Sequence, residues 1–163
     1  MIIEPTAGGV VMDEAEIRRH VGDVTRFALS RPAALVLLVL APLLWVWSGL
    51  TFSAVTWQPV IIAVIGSTIW ILALVLMMRR SASRGVRAQY PVGSRVVAEV
   101  DGAVLRTWTA LSRGETSFAL LAGVSIVGST VAMKRRGGSS VAFLPAAAFS
   151  EAHLHALQAA FTR

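Results

Sequence analysis

"LVLMMRRSASRGVRAQYPVGS", Leu74 to Ser94, passes from hydrocarbon side chains into four arginines, Arg79, Arg80, Arg84 and Arg87, and then into a Pro-Gly turn. Upstream, no Asp, Glu, Lys or Arg occurs between Arg31 and Arg79, a gap long enough to hold two membrane spans. Downstream, the apolar residues recur every second position in short runs broken by Gly and Asp, which is the pattern of paired strands. The boundary therefore divides an α+β membrane protein into a two-helix transmembrane hairpin and a small antiparallel β domain.

Composition agrees with that division. Of 163 residues 55% are hydrophobic and the mean hydropathy is +0.68, above the roughly 45–50% apolar share of an ordinary soluble domain. The net charge of +6 would suit nucleic acid, but eight arginines flank the apolar gap, where membrane topology accounts for them, and no nucleic-acid partner is expected. Cysteine is absent, which excludes disulfides, thiol nucleophiles and Cys-ligated zinc. Fourteen of the fifteen basic residues are Arg, which with abundant Ala, Val and Gly points to a high-GC bacterial coding bias. The partly acidic residues ahead of the first span argue for a retained anchor rather than a cleaved signal peptide.

The spans are read at about 33–50 and 59–78. The first is about 27 Å of helix, just enough to cross, and the second opens on Pro59, suited to a first helical turn. Between them "SGLTFSAVTWQP" is turn chemistry without a charge, and Trp45, Trp47 and Trp57 gather where amphipathic rings sit at the headgroups. Trp70 falls mid-span. Arg18, Arg19, Arg26 and Arg31 precede the first span and Arg79, Arg80, Arg84 and Arg87 follow the second. Both termini are thus expected in the cytoplasm of a bacterium, with the hairpin in its inner membrane. Residues 1–31 form an N-terminal strand and amphipathic helix, 32–80 the hairpin, and 81–163 the cytoplasmic domain.

In "MDEAEIRRHVGDVTRFALS" Asp13 is placed to cap a helix with Glu16 three residues on, and Ile17, Val21, Val24 and Ala28 recur at helical spacing. His20 is expected exposed on this helix, and "GGVVM" ahead of it as an edge strand. After the membrane, "SRVVAEV" and "AVLRTWT" flank Asp101-Gly102, a hairpin signal. "SFALLA", "VSIVGS", "TVAMKR" and "VAFLP" add further strands, five or six in all. The chain closes on "FSEAHLHALQAAF", with Ser150 as cap, Phe149 and Leu154 as a hydrophobic staple, and Leu154, Leu157 and Phe161 as one apolar stripe. A half-open, barrel-like sheet plugged by a terminal helix is a pleckstrin-homology-like architecture.

This order of elements, with "YPVGS" at Tyr90–Ser94, "LPAAAF" at Leu144–Phe149 and the helix beginning "SEAHLHAL", resembles the bacterial YcxB-like family over most of the chain. The resemblance implies a membrane-anchored, pleckstrin-homology-like cytoplasmic domain with no catalytic residues to carry over. It departs from the family where Ala146 and Ala147 replace basic residues, and where Phe118 stands for a central-strand Trp.

No constellation of catalytic residues emerges. His153 and His155 point roughly 200° apart on a helix and cannot share a metal. Glu99 and Asp101 read as a strand face and a turn. No serine sits in a nucleophile elbow, and neither "GVSIVG" nor "RRGGSS" has phosphate-loop spacing. Neither span carries an ionisable residue, so the hairpin is no transport pathway by itself. No enzyme activity, metal, cofactor or small-molecule substrate is expected.

Two features are left to carry function. Lys134, Arg135 and Arg136 form a cationic hairpin tip which, with Arg79 and Arg80, suits anionic lipid headgroups or an acidic protein surface. Ala63, Gly66 and Ser67 form a small-residue notch near Trp70, fit to receive a partner helix or the first span. The reading is an accessory or adaptor subunit docked on a larger integral membrane complex, with a transporter, including one for lipids, as a candidate host. The alternative is a peripheral sensor of anionic lipid acting through the basic turn.

Overall fold

The computed structural model describes residues 9–52, 57–138 and 140–161. The chain forms two compact units, one of Met1–Val24 with Ser83–Arg163 and one of Thr25–Ala82. The N-terminal segment, expected as a region of its own, packs with the C-terminal domain, so the apolar stretch is an insertion in the sequence of that domain.

In the first unit, β1 (Val10–Val11) pairs antiparallel with β2 (Arg95–Asp101), Val10 opposite Val96. The edge strand expected at "GGVVM" is thus present, and its partner lies beyond the long apolar stretch. β2 pairs with β3 (Val104–Trp108), and β3 with β4 (Arg113–Ser117), giving one four-stranded sheet in chain order. The β2–β3 turn is Gly102-Ala103 rather than Asp101-Gly102, because Asp101 still pairs with Val104 and Gly102 takes the positive φ of 58° that a two-residue hairpin needs. Strand β4 has no apolar alternation to announce it; Arg106 of β3 holds Asp101 at 2.9 Å and Glu115 of β4 at 3.0 Å across the sheet.

The second sheet has the order β5 (Leu121–Val127), β6 (Thr130–Arg135), β7 (Val141–Pro145). The expected barrel does not close. "SFALLA" is not one strand: Ser117 accepts a bond from the Ala119 amide at 3.3 Å, Phe118–Leu120 winds into a 3-10 turn, and β5 starts only at Leu121. That turn interrupts the ladder between β4 and β5 and leaves two sheets. Phe118, expected in a central strand, instead sets its ring against Phe161, centroids 5.7 Å apart.

α1 (Glu14–Leu29) starts where Asp13 accepts from the Glu16 amide at 2.7 Å, the cap read from sequence. Glu16 does not return the bond; it pairs with Arg19 at 3.3 Å. The terminal helix (Glu151–Phe161), capped by Ser150, packs on β2 and β5 with Leu157 fully buried, a contribution of about 1.5–3 kcal/mol for such a side chain. Here it is α4. Met12, Ile17, Tyr90, Val96, Leu105 and Val131 fill the rest of the core.

The second unit holds α2 (Pro32–Phe52) and most of α3 (Gln58–Gln89). α3 runs unbroken for 32 residues, about 48 Å, so the helix continues well past an apolar core of about 30 Å. Among the described residues it is the one helix that is by itself long and apolar enough to cross a membrane. The first expected span lies in α2, 21 residues and about 32 Å at helical rise. The loop expected between the spans falls largely at 53–56, outside the described residues.

Candidate functional site

His20 is 1% exposed, not on the solvent face as expected from its helix position. It shares the inward face of α1 with Ile17 and Val21, and a hydroxyl supplied from another element makes the burial tolerable. Its Nδ1 lies 2.8 Å from Thr130 Oγ1, and Thr130 in turn donates to Asp23 Oδ2 at 3.3 Å. The consistent proton order is Nδ1–H to Thr130 and Thr130 O–H to the carboxylate, which leaves Nε2 bare and, within the described residues, unpartnered. Asp23 also accepts from the Ser129 amide at 2.8 Å and hydroxyl at 2.9 Å. Gly128 has a φ of 60°, and a Cβ there would displace the Asp23 carboxylate from its place. Burial lowers the His20 pKa to about 4 against the opposing pull of Asp23, so the imidazole is neutral at pH 7.

Asp, His and a hydroxyl in one cluster suggest a hydrolytic triad, but the order is wrong. Here the hydroxyl sits between imidazole and carboxylate, so neither group activates it toward a substrate. His20 and Thr130 are both 1% exposed, leaving a reactant no approach. The cluster joins α1 to the β5–β6 turn. Tyr90, edge-on to His20 at 5.6 Å, completes it from the end of α3; burial raises its pKa, and its hydroxyl donates to the Phe143 carbonyl at 2.7 Å. Arg87, one turn earlier, makes a two-point ion pair with Glu14. These links between distant segments carry no short-range sequence signal.

The small-residue notch is occupied from within the chain. Ala63 and Ser67 are buried, and the ring of Trp45 from α2 lies over Gly66 so closely that an added Cβ would meet it at 2.6 Å. Trp70 remains 47% exposed. The other side of α3 is open: Ile62, Ile65, Ile69, Leu72 and Leu76, spaced three and four apart, are all exposed. Arg79 and Arg80 are exposed at the end of the apolar run, still inside the helix.

The basic tip separates into two faces. Lys134, Arg135 and Arg136 are all exposed, but Lys134 and Arg135 close β6 and must alternate across the sheet. Arg135 pairs in register with Leu121 and lies on the same face as Met133. That face looks into a cleft of about 400 Å³ between the two sheets, walled by Leu105, Thr116, Leu121, Met133 and Ala142 with Arg135 beside them. Leu105, Leu121 and Met133 are buried floor; Leu120 and Ser140 stand at the edge. Glu115 borders the cleft too, but its carboxylate is held by Arg106. Among the described residues no acidic side chain reaches the Arg135 guanidinium, and no three His, Asp or Glu side chains group as a metal site.

His153 is half-buried and His155 exposed on α4. Compared with protein-family models, curated proteins and solved structures, the chain matches none.

Proposed function

We propose that this chain is a non-enzymatic accessory subunit of a larger complex of the bacterial inner membrane, docking laterally through its apolar helices while its cytoplasmic β domain gives the complex a rigid surface. The observation that carries this reading is the open side of α3, whose Ile62, Ile69 and Leu72 are each more than 60% exposed. With the notch taken by Trp45, the docking surface shifts to this stripe, where branched side chains at helical spacing suit close packing with another helix.

Four strands in one sheet, three in the other and α4 laid on β2 and β5 support a pleckstrin-homology-like domain of the YcxB-like kind, with the membrane segment between its first two strands. The charge-free stretch and its arginine flanks support a two-span hairpin with both termini cytoplasmic. Purification from its own membranes in mild detergent, with mass spectrometry of what copurifies, tests the role. A stoichiometric integral membrane companion should be retained by a variant with Lys134, Arg135 and Arg136 changed to Ser, and lost from Ile69→Trp/Leu72→Trp. A protein that elutes alone, or one that loses its companion only in the basic-tip variant, refutes the proposal.

A further inference from the structure

The geometry points to the inter-sheet cleft as a binding site for a single-chain amphiphile with an anionic head, an alkyl carboxylate or alkyl phosphate. This inference is independent of the accessory role. Its volume of about 400 Å³ lies toward the small end of ligand clefts, which run roughly 300–1,000 Å³. That suits one alkyl chain and is far too little for a two-chain phospholipid.

The lining is divided in the way such a ligand requires. Leu105, Leu121 and Met133 make an apolar floor, and Thr116 stands directly opposite Leu105 across β3–β4, on the same face. Among the described residues the cleft has one charge without an ionic partner. Glu115, the acidic residue at its border, points to the opposite face from Thr116, where Arg106 neutralises it together with Asp101. Arg135 pairs in register with Leu121 and shares its face with Met133, so its guanidinium rises from the same wall as the apolar floor. A planar guanidinium with no acidic partner among the described residues offers paired donors to a carboxylate or phosphate. The head would also meet Ser140 at the edge.

Methyl NMR of the full chain in zwitterionic nanodiscs tests this, because the Met133 methyl reports on the cleft and the buried Met12 methyl reports on the fold. Laurate and dodecyl phosphate should each move the Met133 resonance saturably and leave Met12 in place, and comparing them tells which head is preferred. Inorganic phosphate should not move it, and dodecanol and dodecyltrimethylammonium should bind at least about tenfold more weakly, the loss expected for one charge-assisted contact. Arg135→Gln should weaken laurate by a similar factor, and Ala142→Phe, a change at an exposed position that fills the cleft, should abolish binding with Met12 unshifted. An unmoved Met133 resonance overturns the proposal, as does equal binding of dodecanol and laurate or an unchanged laurate affinity in both variants.

Discussion

Acidification should weaken the first unit through His20, by an amount the structure sets. In the unfolded chain this imidazole titrates near 6.5, and in the folded chain burial holds it at about 4. Because the folded value is the lower one, the unfolded chain takes up the proton first as pH falls. Stability is therefore full above about pH 6.5, declines between 6.5 and 4, and levels off below. At pH 4.5 the loss comes to about 2.5 kcal/mol, taking roughly 1.4 kcal/mol per unit of difference. With a denaturant slope of about 1–3 kcal/mol per molar urea, the midpoint should drop by about 0.8–2.5 M. Oxidation of Met12 by peroxide across a urea series reads this directly, since its side chain is fully buried in the first unit and reacts only when it opens. Carboxylates titrate in the same range, so the quantity of interest is the difference between the natural chain and His20→Gln. That difference should shrink by about 2.5 kcal/mol from pH 8 to pH 4.5; if it is flat, or grows toward acid, His20 is not buried as a neutral base.

Three other tests reach different parts of the molecule. Leu157→Asp places a charge at a fully buried position of α4 and should cost about 3–5 kcal/mol, seen as early oxidation of Met12 in the same urea series; an unchanged midpoint would remove α4 from the core. Gly66→Leu should push the Trp45 ring outward, raising the quenching of its fluorescence by brominated lipid, with no such rise on a Trp45→Phe background; quenching that stays the same would show that Trp45 does not cover Gly66. Cysteines introduced at Thr51 or Gln58 should react with an impermeant thiol reagent from outside intact cells and one at Ser83 should not; the opposite sidedness would invert the proposed topology.

What was legible in the sequence is what depends on near neighbours. The Asp13 and Ser150 caps, the Gly102 hairpin and the apolar length of α3 all rest on signals a few residues wide, and each is present in the structure. What was not legible depends on contacts between segments far apart in the chain. His20 looked exposed because its helix face is mixed; only Thr130, 110 residues on, makes its burial tolerable. β4 carries no alternation of its own and is held by its neighbour's arginine. The small-residue notch was visible, with the first span as one of its two expected occupants, but not which residue of that span, Trp45, would lie over Gly66.

The same distinction bears on the basic tip. In sequence, Lys134, Arg135 and Arg136 are three equal cations on a turn, and a screened surface charge is worth little to stability. Strand alternation divides them. Arg135 falls on the face that carries Met133 and Leu121, whereas Lys134 lies on the other. Folding the strand to that register leaves Arg135 beside apolar surface without an acidic partner among the described residues, while the available carboxylate, Glu115, is engaged by Arg106 on the far side of its own strand. At the border of the inter-sheet cleft an anion can bury an apolar tail while its head meets the guanidinium, a combination that a cation at the tip of a solvated turn does not offer. Register, set by the pairing of Leu121 with Arg135, is what gives one of three chemically similar residues a different part to play.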